Sequence, residues 1–391
     1  MKRSYSVTVL QRSGLIAALA AVMCGCISQP RVATSFWRIG TPADSLREGY
    51  AVLYEGKKMR HCYPITEWTE QLSPITNHQS PLPDTYHSLH HHGVAVESKL
   101  MAYRIYFDKK QTIDPYCKKK PQLELAQSYW YPNDSLLAEG YGDDILRVSG
   151  TVGVGSVKYW NGKKHVHIEP VVERSQRIVS QKKDQATIEV AVKGWQVPTA
   201  KRSYSETVLQ SEGRSYSDSG RVTDMTVRYT MKAGHRDMRC DVSLSEPVEG
   251  LCTGVQTIPA KGVNLQSSIS NIQLPNGTLL ASFGTDWPVN DSVKYAKETV
   301  GLAVFVPKEF AGEIVQDKSN LLCLLHLTGT KSAGPTAQRS YSDNGLTAQR
   351  SEMCHAHFYL TCVGATKENH PVATTAEEWL IYLRKWAKGL K

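Results

Sequence analysis

Hydrophobic and polar positions alternate along much of the chain with a period of two, the pattern of half-buried β-strands. The alternation runs through residues 100–108, 186–192 and 222–231. Two shorter apolar runs bounded by polar residues, at 301–306 and 321–327, are typical of strands with both faces covered. The pattern therefore predicts a protein built mainly from β-strands.

One long helix is predicted, close to the C-terminus. Thr375 is a suitable N-cap, and one helical face then carries Trp379, Leu380, Leu383 and Trp386. Asn161-Gly162 lies between two strand-like segments and suits a tight hairpin turn, whose central positions both need positive φ. Many strands and one late helix predict an all-β fold, a large antiparallel β-sandwich with a C-terminal helix.

Residues 1–25 carry the pattern of an export signal. Lys2 and Arg3 precede an apolar run at 14–23, which is shorter than the roughly 20 residues that a bilayer span needs. Gly25-Cys26 follows this run. We predict a lipoprotein signal peptide over 1–25, with Cys26 as the lipidated residue and the lipid as the membrane attachment of the mature protein.

Repeated segments indicate insertions into loops. KRSYSVTVLQ at 2–11 recurs as KRSYSETVLQ at 201–210, and RSYSDSG at 214–220 recurs as RSYSDNG at 339–345. The copies lack the fixed period and apolar positions of structural repeats, and their polar content suits solvated loops. Without the first insertion, the strands on either side of it form a hairpin. We expect an N-terminal extension over 26–89 and a sandwich domain over 90–391, with insertions near 200–221 and 334–352.

Composition limits the classes of molecule that this protein is expected to bind. The chain has 391 residues, of which 41% are hydrophobic and 21% charged, as in a globular protein. Its net charge of +9 comes from scattered Lys and Arg, whereas a nucleic-acid-binding protein concentrates them on one surface. We expect no nucleic-acid partner and favour an anionic soluble ligand. Apart from Cys24 and Cys26, seven of the nine cysteines remain, none in a C-x-x-C motif, and we expect most to be small buried residues.

Most of the candidate catalytic and binding residues lie within residues 90–120, whose sequence is HHHGVAVESKLMAYRIYFDKKQTIDPYCKKK. On one strand, Arg104, Tyr106 and Asp108 share a face. They could line a saccharide cleft, with Arg104 binding an acidic sugar and Tyr106 or Asp108 moving protons. The alternative is a solvated pair of Arg104 and Asp108 on an exposed sheet face. Unbroken alternation places Glu97 on the opposite face from Asp108.

Two further polar segments flank this strand. Four histidines fall within six positions before it, namely His87, His90, His91 and His92. They could bind zinc or copper, but no Glu, Asp or Cys stands at a metal-site spacing. A general base or a carboxylate-neutralising role for His91 or His92 is a second interpretation, and a surface histidine run is a third. The turn at 139–144 offers Asp143 and Asp144 beside Tyr141, for calcium or for sugar stacking, or as a plain polar turn.

The motifs HHG-x-x-x-E-S-K-L-x-A-Y-R-I-Y-F-D, I-D-x-Y at 113–116 and G-Y-G-D-D at 140–144 resemble a bacterial family known as domain of unknown function 4861. The resemblance extends through Trp160-Asn161-Gly162 to Glu378-Trp379 and covers most of the mature chain. It implies an exported protein of glycan-degrading bacteria, a context of acidic plant or algal glycans, and a mutarotase-like supersandwich. It also gives weight to Asp114 and Tyr116.

An enzyme acting on oligosaccharides that contain uronic acid is the first functional hypothesis. In β-elimination, Arg104 or His92 neutralises the uronate carboxylate and Tyr106 or His91 abstracts the C5 proton. In hydrolysis, two carboxylates act as acid and as base or nucleophile, drawn from Glu97, Asp108, Asp114, Asp143 and Asp144. The candidate catalytic residues are His91, His92, Arg104, Tyr106 and Asp108. The candidate substrate-binding residues are Asp114, Tyr116, Tyr141, Asp143 and Trp160.

A non-catalytic glycan-binding lipoprotein is the alternative hypothesis, and a structural role in the envelope is a third. A binding protein would stack sugars on aromatic side chains such as Tyr129, Trp130, Tyr131, Tyr141 and Trp160. No cofactor is firmly implied, although a divalent cation such as calcium fits the acidic turn. No acidic run follows Cys26, which favours the periplasmic side of a membrane in the cell envelope.

Overall fold

The computed structural model describes residues 31–35, 50–54, 60–62, 93–106, 108–125, 127–128, 132–198, 221–258, 268–289, 292–293, 295–330 and 353–390. The expected leader at 1–25 and the repeated segments at 201–220 and 334–352 lie outside these residues. The lipidation of Cys26 and the loop character of the insertions therefore stay predictions.

The described strands form three antiparallel sheets. In spatial order, the four-stranded sheet contains β1 (Val32–Ser35), β4 (Gly93–Ser98), β5 (Met101–Tyr106) and β6 (Ile113–Cys117). The five-stranded sheet contains β17 (Ala311–Gln316), β18 (Asn320–Leu325), β13 (Leu251–Gln256), β7 (Lys158–Trp160) and β8 (His165–Val166).

The large sheet has eleven strands. Its order is β14 (Ser268–Leu274), β15 (Gly277–Asp286), β16 (Glu298–Pro307), β20 (Met353–Gly364), β12 (Met238–Leu244), β11 (Val222–Lys232), β10 (Gln185–Gln196), β9 (Glu173–Gln181), β2 (Tyr50–Tyr54) and β3 (Arg60–Cys62). The remaining strand, β19 (Thr328–Thr330), pairs with β20.

One hydrophobic core joins the three sheets. It includes Ile105 of the four-stranded sheet, Val242 and Leu360 of the large sheet, and Val255 of the five-stranded sheet. Along β11, buried positions alternate with partly or fully exposed ones, because only one face of the strand meets this core. The prediction of a large antiparallel β-sandwich is confirmed.

The predicted strands are also confirmed, with one difference in a turn. Strands β5, β10, β11, β16 and β18 contain most of the alternating or apolar runs. Strands β10 and β11 pair across the first insertion, with Trp195 opposite Thr223, as the sequence predicted. Strands β7 and β8 form the expected hairpin, but Trp160 pairs with His165, so the loop spans 161–164. In this longer loop, Gly162 has positive φ and Asn161 does not.

The predicted C-terminal helix is α2 (Ala376–Lys388), and a short helix, α1 (Asp134–Ala138), precedes it. The Thr375 side chain caps α2 by accepting a hydrogen bond from the backbone N–H of Glu378 at 3.2 Å. Trp379 and Leu383 are fully buried in a cluster with residues of β15, β16 and β20. Helix α2 thus covers part of the outer face of the large sheet. Within the described residues, no helix is long and apolar enough to cross a membrane.

Strands from the expected N-terminal extension take part in the sandwich. Strand β1 pairs with β4, and β2 joins the large sheet at β9. Six cysteines match the sequence expectation, since they are free and buried: Cys117, Cys240, Cys252, Cys323, Cys354 and Cys362.

Candidate functional site

The four-stranded sheet presents a polar face on the side away from the core. Its register places Arg104 of β5 opposite Asp114 of β6, and Ala102 opposite Tyr116. Residues directly opposite each other, and residues two apart on one strand, share a face. Because the intervening residues of β5 belong to the core, Arg104, Tyr106, Asp114 and Tyr116 lie together on the other face. We call this the polar face.

Glu97 lies on the same face, which corrects the expectation from unbroken alternation. Glu97 pairs with Ala102 across a tight turn between β4 and β5, and this turn resets the alternation. The Glu97 carboxylate contacts the Lys118 Nζ and accepts the backbone N–H groups of Glu124 and Leu125 at 2.9 Å. The side chain is fully buried, so Glu97 anchors the fold at this point.

Arg104 and Asp114 form a buried ion pair. The Arg104 Nη2 donates to Asp114 Oδ2 at 2.7 Å, and the two side chains are 2% and 1% exposed. The guanidinium carbon lies 5.2 Å from the ring centroid of Tyr106 and 4.8 Å from that of Tyr116, both cation–π distances. Both tyrosines are partly exposed. The alternative of a solvated pair between Arg104 and Asp108 is therefore wrong.

Asp144 adds a second carboxyl group to this pair. A backbone bridge between Tyr116 and Asp144 places it beside β6. Burial, and then the charge of Asp114, raise the pKa of Asp144 well above its ordinary value. Burial also raises the pKa of Asp114, although Arg104 opposes that change. One guanidinium thus faces two buried carboxyl groups, and burial raises the pKa of both.

Asp108 does not continue the polar face, because β5 ends at Tyr106. Its Oδ1 accepts the backbone N–H of Lys110 at 2.7 Å and that of Gln111 at 3.2 Å, so it caps the turn to β6. The Lys110 Nζ lies 3.2 Å from Asp108 Oδ2 and 5.0 Å from the ring centroid of Tyr106. The side chain of Lys110 is 32% exposed, which makes it an accessible cation beside a phenol.

Sequence reasoning missed Lys110, and it also missed Lys158. The Asp-x-Lys spacing of a turn that follows a strand was a usable signal for Lys110. Lys158 offered no such signal, because it comes from β7 of a different sheet. Its buried Nζ donates to the Lys110 carbonyl oxygen and to Thr112 Oγ1, which fixes the turn. Burial lowers the pKa of Lys158 to about 7.

A second buried charge cluster lies next to Arg104. The Lys118 Nζ contacts both Glu97 and Glu124, the latter at 3.4 Å. The Gly142 N–H donates to the Glu124 carboxylate at 3.1 Å. A Cβ at Gly142 would lie 1.7 Å from the Cys117 carbonyl oxygen, so only glycine fits there. A cavity of about 20 Å³ separates the two clusters and has room for a water molecule.

These clusters contain several of the motif residues, among them Glu97, Arg104, Asp114 and Gly142. A family described as Domain of unknown function (DUF4861) matches residues 58–391. The chain belongs to this family. The resemblance expected from the motifs is thereby confirmed. A search of curated proteins finds no match.

Within this DUF4861 member, the acidic turn lies beside the polar face. The Asp143 Oδ1 accepts the backbone N–H of Asp144 at 2.8 Å, and the Lys367 Nζ lies 3.8 Å from its carboxylate. Burial raises the pKa of Asp143 to about 6 although Lys367 opposes that change. Tyr141 is partly exposed at the start of the turn. Among the residues that the structure describes, no three His, Cys, Asp or Glu side chains are grouped to hold a metal ion.

The remaining predicted site residues lie elsewhere or outside the described ranges. Trp160 is on β7 and packs against a small cluster of Val152, Cys252 and Leu322 in and beside the five-stranded sheet. The structure therefore does not bring Trp160 to Arg104. The described ranges do not include His87, His90, His91, His92, Tyr129, Trp130 and Tyr131.

Proposed function

We propose that this protein is an exported lipoprotein that cleaves uronic-acid-containing oligosaccharides by β-elimination. One observation carries the proposal: a buried ion pair of Arg104 and Asp114 supports two partly exposed phenols on a rigid sheet. Elimination needs a base for the C5 proton and a cation for the adjacent carboxylate. The polar face offers the base, and Lys110 in the turn beside it offers the cation.

Tyr106 is the base in this proposal. Its hydroxyl oxygen lies 3.4 Å from the Arg104 Nη2, and the hydroxyl also donates to the Asp114 carboxylate. When Tyr106 loses its proton, the guanidinium stabilises the phenolate, while the charge of Asp114 opposes it. Arg104 is too buried to meet the sugar directly and acts as a positioning residue. Lys110, a third exposed beside the Tyr106 ring, pairs with the uronate carboxylate and stabilises charge that develops on it.

The step balances without a cofactor. The Tyr106 phenolate takes the C5 proton, the C5 electron pair forms the C4–C5 double bond, and the C4–O bond breaks. The protonated Tyr106 then returns the proton to the leaving oxygen. The products are an unsaturated uronate and a sugar with a free hydroxyl group.

The positions of the carboxyl groups favour elimination over hydrolysis. Hydrolysis needs two carboxyl groups that reach the glycosidic bond. Asp114, Asp143 and Asp144 are buried, and Glu97 already contacts Lys118 and backbone N–H groups. Asp108 is partly exposed but caps a turn.

The decisive experiment follows ultraviolet absorbance over time. The purified protein is incubated with pectic, glucuronate-containing and sulfated algal oligosaccharides, and reducing ends are assayed in parallel. We expect unsaturated uronate to accumulate, and Tyr106→Phe to abolish it at saturating substrate. Tyr116→Phe is the matched control, since it also removes one phenol hydroxyl beside Arg104 but should keep turnover. New reducing ends without ultraviolet absorbance would contradict elimination and indicate hydrolysis.

The second candidate function is glycan binding without catalysis. It is favoured by the two tyrosine rings, which are partly exposed and held by one guanidinium, as a stacking platform requires. A binding protein should show no product in either assay, and Tyr116→Ala should weaken its affinity for the oligosaccharide. Loss of turnover in Tyr106→Phe with unchanged affinity would exclude this candidate.

A further inference from the structure

A groove of about 360 Å³ lies on the outer face of the large sheet, beside the end of α2. This volume is in the range of small-molecule sites. Side chains of β11, β12, β20 and the turn between β11 and β12 supply its polar lining, which comprises Thr230, Lys232, His235, Asp237, Arg239 and Tyr359. Gly389 and Leu390, which follow α2, form one wall.

Arg239 is held in a fixed orientation within this groove. Its Nη2 lies 2.7 Å from Asp241 Oδ1, its Nε donates to the same oxygen at 2.9 Å, and its Nη1 donates to the Tyr359 hydroxyl at 3.2 Å. The side chains of Arg239 and Asp241 are nevertheless 42% and 41% exposed. Arg239 and Asp241 lie two residues apart on β12, and Tyr359 lies on the adjacent strand β20. The donors of Arg239 and the acceptors of Asp241 are open to solvent, an arrangement that binds sugar hydroxyl groups without rearrangement.

An exposed lysine of the groove, Lys232, offers a partner to an acidic ligand. The other permanent cation of the lining, Arg239, is already paired with Asp241. Asp237 is 14% exposed and lies 3.1 Å from the His235 Nδ1, whereas Lys232 is exposed. A carboxylate that enters from solvent can therefore pair with Lys232, while sugar hydroxyl groups meet Arg239 and Asp241.

We propose that this groove is a second saccharide site, which binds a carboxylate-bearing oligosaccharide. The choice of ligand class rests on the proposed function, while binding in the groove requires no catalysis. The groove and the polar face lie on opposite sides of the sandwich, because the inner faces of their two sheets pack in one core. One molecule can then hold two segments of a polymer, or two chains, at once, which raises its apparent affinity for polymer.

Calorimetric titration of the Tyr106→Phe variant, in which turnover is blocked, tests the proposal. The probes are trigalacturonate, triglucuronate and neutral galactotriose. We expect at least one acidic trisaccharide to bind at two sites, and galactotriose to bind at least tenfold more weakly. Adding Arg239→Ala should lower the stoichiometry from two to one. The matched control is Arg228→Ala, which removes an arginine that is 53% exposed on the same sheet but outside the groove lining, and it should leave two sites.

Three results would overturn the second site: a stoichiometry that Arg239→Ala leaves unchanged, an equal loss in Arg228→Ala, or no binding of either acidic probe. Urea midpoints of the variants show whether each retains the fold. Failure of the proposed function gives a different result. In that case the native protein forms no unsaturated product, while binding that depends on Arg239 persists.

Discussion

Two polar surfaces of this molecule use the same side chains in different surroundings. On the polar face, Arg104 and Asp114 are 2% and 1% exposed, whereas Arg239 and Asp241 on the large sheet are 42% and 41% exposed. Each arginine donates to a carboxylate and lies against a tyrosine ring. Water screens the exposed pair, but each buried charge depends on its partner. Burial thus makes each charge of the polar face depend on its partner, whereas the exposed pair on the outer face contributes little to stability.

The ratio of arginines to carboxyl groups differs as well. On the outer face, Glu189 accepts hydrogen bonds from Arg177 at 2.5 Å and Arg228 at 2.7 Å. Burial acts to raise the pKa of Glu189, but the two arginines outweigh it and lower the pKa. On the polar face, one arginine faces the two carboxyl groups of Asp114 and Asp144. The pKa values of both groups are raised. Burial therefore prevails where one arginine faces two carboxyl groups, and it is outweighed where two arginines donate to one carboxylate.

Replacing each arginine by alanine is the strongest test of the difference between the two surfaces. Arg104→Ala leaves two buried carboxyl groups without their cation and should lower the free energy of unfolding by about 3–5 kcal/mol. Arg239→Ala, the matched exposed change, should cost about 1 kcal/mol or less. Urea denaturation at neutral pH measures both. Equal losses would show that burial does not separate the two surfaces.

A substitution of Asp143 tests the effect of burial on a carboxyl group through the pH dependence of stability. Its folded-state pKa of about 6 lies above its ordinary value of 3.8, so the folded state favours the protonated form. The resulting stabilisation is complete below the ordinary pKa and is lost as pH rises through about 6, when the charge costs up to about 3 kcal/mol. Asp143→Asn should therefore stabilise the protein at about pH 8.

Denaturation of Asp143→Asn and the native protein across pH provides the check. The difference between them should shrink toward zero as pH falls to about 4. A constant difference across this range would refute the assigned pKa. Asp237→Asn, which changes a carboxylate in the outer groove, serves as the control.

The smallest effect is expected at Arg228. Its side chain is 53% exposed, and its pair with Glu189 shares that carboxylate with Arg177. Arg228→Ala should cost less than about 1 kcal/mol, and about 1 M salt should remove most of that difference. Urea midpoints at low and high salt measure it. If salt reduced the cost of Arg104→Ala equally, the buried pair would be behaving as a surface pair.

Local sequence determined the elements of this protein. The alternation in β5 and β11, and the Thr375 cap of α2, act through neighbouring residues, since backbone geometry alone sets the periods of two and 3.6. The motifs likewise indicated the family and pointed to Arg104 and Tyr106. The expected saccharide chemistry rests on those residues and stays a prediction.

Only the tertiary structure decided which of these residues meet. The register of β5 and β6 paired Arg104 with Asp114, and the turn before β5 brought Glu97 to the same face. Because β5 ends before Asp108, this residue caps the following turn and does not extend the polar face. Lys158, which fixes that turn, lies on a strand of another sheet. Cross-strand register, turns and burial depend on residues far apart in the chain, so no local period encodes them.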